Sequence, residues 1–258
     1  MQLNNKTTIV TGAGRGLGRA IALAMAREGA QVSLMSRTEA ELAEVAASIR
    51  HIGGTCRFFS GDVSQESDVS GIVEATPDDF GRVDILVHNA GVIGPVRFLE
   101  DADGTAWRQT LAVNLHGACY CARAVAPHMK KQGTGKIINI ASGLGEMPFP
   151  RFCAYAASKA GLIQMTRSLS EELKPANIQV NAIDPGVMDT SMQKEIRELG
   201  SEILGRDIYE HFLDYWKSGA LRQPEEVASL AVFLASSASD SLTGYYGGLQ
   251  DYTRLGWS

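Results

Sequence analysis

The sequence predicts an α/β fold, a doubly wound parallel sheet of about seven strands with helices on both faces. Three observations point there. Short aliphatic and β-branched runs alternate with helical patterns along the whole chain with no linker between them, as in successive βαβ units. A glycine-rich turn follows the first such run and opens into a helix. The 258 residues suffice for one domain with a full core, and the unbroken alternation favours one domain over two. Right-handed crossovers then give the strand order 3-2-1-4-5-6-7, with the active site at the carboxyl ends of the strands.

Thr7 to Thr11 is the first strand, and the turn Gly12-Ala13-Gly14-Arg15-Gly16-Leu17-Gly18 leads into the helix through Ala20 to Met25. Backbone N–H groups at such a helix start favour a bound diphosphate, and glycines let it approach. The spacing is G-x-x-x-G-x-G at 12, 16 and 18; the commoner G-x-G-x-x-G fails because Leu17 stands where its third glycine belongs. Gln31 to Ser36 is the second strand, 38–51 a helix, and Thr55 to Gly61 the third strand, ending at Asp62-Val63. Locally, Asp62 reads as an N-cap for the helix through 69–73. Val83 to His88 is the fourth strand and runs into Asn89-Ala90-Gly91. A loop over 92–103 precedes a long helix from about Gly104 to Met129, where Asn114 is a poor interior residue in need of a reason. Lys136 to Ser142 is the fifth strand, and the loop 143–153 leads to a helix carrying Tyr155 and Lys159. Asn177 to Asp184 is the sixth strand, followed by Pro185-Gly186-Val187-Met188-Asp189-Thr190, and Pro224 opens a late helix at its first turn.

Tyr155 and Lys159 stand four apart, so on one helical face a phenol and an ammonium can approach one site. A free phenol has a pKa of about 10. A nearby positive charge favours the phenolate and would make Tyr155 a proton donor and acceptor near neutrality. Ser142, at the end of a buried strand, can present a hydroxyl to a carbonyl oxygen.

The set T-G-x-x-x-G-x-G, N-A-G, mid-helix Asn, Ser and Y-x-x-x-K, in this order over nearly the whole chain, resembles the short-chain dehydrogenase/reductase family. The resemblance implies a Rossmann-like fold and an oxidoreductase transferring a hydride between NADP(H) or NAD(H) and a ketone or secondary alcohol, with Asn114, Ser142, Tyr155 and Lys159 as the catalytic set. It also implies cofactor contacts. Gly12, Arg15, Gly16, Leu17 and Gly18 would hold the diphosphate, Asp62 the adenine amino group beside Val63, and Asn89, Ala90 and Gly91 the adenosine end. Tyr155 and Lys159 would reach the nicotinamide side, and Pro185, Gly186, Val187 and Thr190 would meet its ring and carboxamide. A helix break at Asn114 would let a backbone carbonyl hold a water linking Lys159 to solvent. NAD-selective sites place an acid about 20 residues past the glycines. Here that neighbourhood is Ser36-Arg37, and Arg37 with Arg15 can pair with a 2′-phosphate, so NADP(H) is favoured.

Residues 187–218 are the expected substrate lid, with Met192, Ile203, Leu204, Tyr209, Phe212, Tyr215 and Trp216 as its apolar candidates. They suit a hydrophobic or cyclic ketone or an acyl thioester, with Glu146 and Asp189 near a polar substituent. The end departs from the family: Thr243-Gly244 is present but the expected D-G-G is not, which bears on the expected homo-oligomer, a dimer or tetramer, more than on the chemistry.

Net charge is −5 with a pI near 5.6 and no basic run, which argues against nucleic acid or an anionic membrane as partner. The four cysteines and five scattered histidines show no zinc spacing, so no metal is expected, and the thiols are expected reduced and mostly buried in a cytoplasmic protein. No signal-peptide pattern and no apolar run of about 18 residues occurs. Two rivals remain. A serine hydrolase would need glycine at Ile140 for a nucleophile elbow, and a dinucleotide-binding scaffold would have no need for the complete catalytic set.

Overall fold

The computed structural model describes residues 1–257. Seven strands, β1 (Thr7–Thr11), β2 (Gln31–Ser36), β3 (Cys56–Ser60), β4 (Ile85–His88), β5 (Gly135–Ile140), β6 (Ile178–Ile183) and β7 (Tyr246–Gly247), form one sheet. All its ladders are parallel, and the order is β3-β2-β1-β4-β5-β6-β7, as expected. The chain reverses direction across the sheet between β1 and β4, which opens a crevice at their carboxyl ends.

Helices α1 (Gly16–Arg27), α2 (Glu39–His51) and α10 (Pro224–Ala235) bury their apolar residues on one face. Helices α3 (Glu66–Phe80), α5 (Gly117–Gln132) and α6 (Cys153–Leu173) cover the other. The strands divide their side chains between the two cores with period two: Ile85 and Val87 join the first, Leu86 the second. The lid helices α7 (Ser191–Glu198), α8 (Gly200–Leu204) and α9 (Arg206–Lys217) form a third core together with Val96 and Phe152 from outside the lid. No helix among the described residues is long and apolar enough to cross a membrane.

The long helix over 104–129 carries the break that the resemblance implies at Asn114: α4 (Gly104–Leu111) gives way to one wide π-helical turn over Ala112–His116 before α5 begins. Other expectations need correction. Asp62 does not cap α3; Gln65 occupies that position, and the Asp62 Oδ1 instead accepts from Ser64 N at 2.9 Å in a local turn. The terminal strand shrinks to two residues and hands over to α11 (Leu249–Thr253), where Tyr252 is buried and donates its hydroxyl to the Ala182 carbonyl at 2.9 Å. Only half of the thiols are buried: Cys56 and Cys121 are, Cys119 and Cys153 are exposed.

Candidate active site

The glycine turn is built where the backbone leaves no room for side chains. Gly12 and Gly16 hold φ of 63° and 52°, the left-handed region that other residues enter at a cost. A Cβ on Gly18 would lie 2.1 Å from the Gly12 carbonyl oxygen, so this glycine is required by packing. Helix α1 starts at Gly16 with Arg15 as N-cap and no side chain capping it, which leaves its first amides for an anion.

Asn89 fastens this turn to the end of β4, donating from Nδ2 to the Thr11 and Gly12 carbonyls at 3.1 Å each. The Thr11 hydroxyl accepts from the N–H groups of both Asn89 and Ala90, so its own proton is directed to His88 Nδ1 at 3.3 Å. That assigns the His88 proton to Nε2, a buried donor with no acceptor among the described residues. Burial, aided by the charge of Lys159, lowers the His88 pKa to about 3 and keeps the ring neutral.

A groove runs along the carboxyl ends of the strands. Ser36, Arg37, Asp62 and Val63 line one end. The middle is lined by Gly12, Arg15, Gly16 and Leu17 facing Asn89, Ala90 and Gly91, and the far end by Tyr155, Lys159, Pro185 and Thr190. Gly18, Gly186 and Val187 do not line it. At the Ser36 end the structure supplies an acid that sequence spacing missed: Glu41, from α2. A Cβ on Gly14 would meet Glu41 Oε2 at 2.8 Å and Ser36 Oγ at 3.0 Å, so the carboxylate and the hydroxyl share this corner. The Arg15 guanidinium lies 3.7 Å from Glu41 and 3.8 Å from Glu195 of the lid, so it is not the free cation expected. Arg37 is exposed, and among the described residues it has no ion pair.

Of the four expected catalytic residues, Tyr155 and Lys159 line the other end of the groove, whereas Asn114 and Ser142 are not among its lining residues. Asn114 sits in the wide turn, fully buried; its Oδ1 accepts from Val92 N at 2.8 Å, and its Nδ2 reaches the Val92 carbonyl at 2.9 Å and Ser158 Oγ at 3.0 Å. It therefore ties the loop after β4 to the helix bearing Tyr155. Ser142 ends the stretch after β5; its hydroxyl accepts from Leu144 N at 3.3 Å, and its nearness to the Tyr155 phenol draws that group's pKa down. Burial outweighs this and pushes Tyr155 up to about 12, with the Asp184 carboxylate acting in the same direction. The expected depression is thus absent here, and the geometry says why. Lys159 Nζ donates to the Ile140 carbonyl at 2.8 Å and lies 5.6 Å from the Tyr155 ring centroid. Spacing of four brings the residues together but does not aim the long lysine side chain. Burial lowers the Lys159 pKa to about 8.

The loop 185–189 is held by Arg222, which sequence reading also missed. Its Nη1 donates to the Pro185 carbonyl at 3.0 Å, and its backbone N donates to the Val187 carbonyl at 2.9 Å. Thr190 faces the glycine turn, its Cγ2 3.5 Å from where a Cβ on Gly16 would stand. In the lid, Leu204 and Phe212 are core, Trp216 is 54% exposed, and Met192 reaches the groove.

A sequence profile described as short chain dehydrogenase matches residues 6–199, which carry the glycine turn, Asn89-Ala90-Gly91, Asn114, Ser142, Tyr155 and Lys159. The chain belongs to the short-chain dehydrogenase family. It is 35% identical over 254 residues to a subunit of (2S)-[(R)-hydroxy(phenyl)methyl]succinyl-CoA dehydrogenase from Thauera aromatica, covering 95% of this chain and 94% of that one. Among solved structures, NAD+-bound xylitol dehydrogenase superposes with a TM-score of 0.89 at 29% identity, over 96% of this chain and 99% of that one. Levodione reductase also superposes with a TM-score of 0.89, at 28% identity, over 99% and 100%. The protein is accordingly an oxidoreductase of a family that binds NAD(H) or NADP(H).

Proposed function

We propose that this short-chain dehydrogenase transfers a hydride reversibly between NADP(H) and a ketone or secondary alcohol. One observation carries the reading: a single continuous groove joins the Ser36–Arg37 corner, the glycine turn and the Tyr155–Lys159 pair. Its residues fit a dinucleotide. The left-handed Gly16 and the uncapped α1 amides suit a diphosphate, and the buried, unpartnered Ser36 Oγ suits a ribose substituent. Asp62, Asn89, Ala90, Gly91, Pro185 and Thr190 complete the cradle. A bound nicotinamide supplies the hydride.

The chain's own part is orientation and proton traffic. Ser142 and Tyr155 present hydroxyls to the carbonyl oxygen, and Tyr155 gives it the proton. Lys159, poised near pH 8 by burial, lowers the Tyr155 pKa when its ammonium faces the phenol. Asn114 keeps the helix bearing both in register with the loop after β4. Ile93 and Met192 on the groove wall suit a substrate with an apolar body. Turnover of NADPH across a panel of cyclic ketones, diketones, sugars and 3-oxoacyl thioesters tests the assignment. Tyr155→Phe is expected to lower kcat by about 10²–10⁴-fold, the usual contribution of a positioned proton donor. A variant as active as wild type would overturn the role of Tyr155.

Preference for NADP(H) rests on Arg37, exposed beside Ser36 and paired with no carboxylate among the described residues. Arg37→Ala is expected to weaken NADPH binding about tenfold while sparing NADH, as loss of a charge-assisted phosphate contact does. An unchanged affinity ratio removes the preference. Glu41 supports a second reading, NAD(H), because its carboxylate stands in the same corner and can accept from a ribose hydroxyl. Assembly as a homo-oligomer, dimer or tetramer, belongs to the same reading; a single monomer mass by light scattering would remove it.

A further inference from the structure

The short segment 149–152 lies between Ser142 and the helix bearing Tyr155 and touches three separate parts of the molecule. Arg151 within it has φ of 71°, a left-handed conformation that a non-glycine residue holds only when its surroundings enforce it. Three contacts do so. Its Nη1 donates to the Ile203 carbonyl at 2.9 Å, one of the last carbonyls of α8, which lack partners within so short a helix. Its guanidinium carbon stands 4.0 Å from the centroid of the Phe98 ring, in the loop after β4. Its own carbonyl accepts from Arg97 N at 3.0 Å. On either side, Phe149 and Phe152 pack against Phe212 of α9 with ring centroids 6.0 Å apart in each pair. Phe152 is also the N-cap of α6, and its carbonyl accepts from Ala156 N at 2.8 Å, one turn around Tyr155.

We infer that Arg151 is a positioning residue that pins the lid and the loop after β4 to the start of the catalytic helix, and thereby sets the substrate pocket for a ketone with an apolar body. The inference rests on the carbonyl-reducing reading above. The residues that narrow the groove on that side, Ile93 and Met192, belong to the two segments that Arg151 or its neighbours hold. The contacts of Arg151 with Ile203, Phe98 and Arg97 all lie away from the glycine turn, so this latch acts on substrate and not on cofactor. Lysine could keep the charge at Ile203 but not the planar stack on Phe98.

The decisive variants are Arg151→Gly, which adopts the same backbone without strain and removes only the side chain, and Arg151→Lys as partial rescue. For Arg151→Gly, KM for the best ketone is expected to rise about tenfold, the scale of one lost charged hydrogen bond. The same variant should leave kcat within about threefold of wild type and NADPH affinity unchanged, with Lys intermediate. Hydrogen–deuterium exchange should speed up at amides 199–217 and stay as in wild type at the glycine turn. Wild-type KM with wild-type exchange overturns the latch, as does an NADPH affinity that falls along with KM. If wild type reduces no carbonyl at all, the functional reading fails, and the exchange comparison alone decides whether Arg151 holds the lid.

Discussion

The groove floor and the lid are built by different physics. On the floor, each position accepts few residue types. Gly18 has a carbonyl 2.1 Å from where its Cβ would be, Asn89 uses its amide to join two strand ends, and Asn114 satisfies donor and acceptor of Val92 at once. The lid is held by a small apolar core around Ile196, Leu204 and Phe212, where side chains of similar volume can replace one another. A floor specified by geometry should fail abruptly under substitution; a lid specified by volume should yield gradually.

The largest effect is expected at Gly18. Gly18→Ala drives a methyl into the Gly12 carbonyl, and neither backbone can yield without dismantling the turn. A stability loss of about 3 kcal/mol, the upper end of the usual cost of overpacking, is expected, with loss of NADPH binding. Urea unfolding checks it. A midpoint near wild type would erase the contrast between the two regions.

The second test uses pH. His88 titrates near 3 in the folded protein against an ordinary 6.5, because burial rejects its charge. The unfolded chain therefore binds the extra proton between those values, and stability is lost as pH falls from 6.5 toward 3. The expected slope is about 1.4 kcal/mol per pH unit for this group. Lys159, lowered to about 8 from 10.5, acts in the same sense at the other end: stability rises as pH climbs through that window. His88→Asn should flatten the acid slope in urea titrations at pH 7, 6 and 5. If the variant kept the wild-type slope, another buried group would be responsible.

This contrast also explains what was legible in the sequence. Strand order, the glycine turn, Asn89, Asn114 and the Tyr155–Lys159 pair were readable because few other residue types could do the same work at those places. Glu41, Glu195, Arg222 and Arg151 were not, since a charged residue on a helix or loop reads as a solvated one until the fold shows what it faces. Glu41 enters the cofactor corner from the helix after β2, where no fixed spacing points. The direction of the Tyr155 shift failed for a related reason: spacing sets which residues are neighbours, while Lys159 chose the Ile140 carbonyl through rotamer freedom. The Asp62 cap failed because Gln65 starts α3 later than the pattern suggested.

A gentler effect is expected inside the lid. Phe212→Leu keeps apolar volume but gives up the ring contacts with Phe149 and Phe152, a cost of about 1 kcal/mol. Because the lid core is separate from the two sheet cores, the change should appear as a higher KM for ketone with unchanged NADPH affinity. An equal loss in both would show that lid and floor are one unit.

The smallest effect belongs to Trp216. It is 54% exposed on α9, with the Arg197 guanidinium 5.6 Å from its ring. A cation over a ring at such an exposed site contributes about 0.5–1 kcal/mol at most. Trp216→Ala should thus shift the urea midpoint by no more than that and leave NADPH affinity as it was. Substrate KM is the informative readout. If it too stays at the wild-type value, Trp216 is surface and the pocket wall ends at Met192. If KM rises severalfold while stability holds, the outer face of α9 folds over the substrate, and the lid is specified by contact as closely as the floor is.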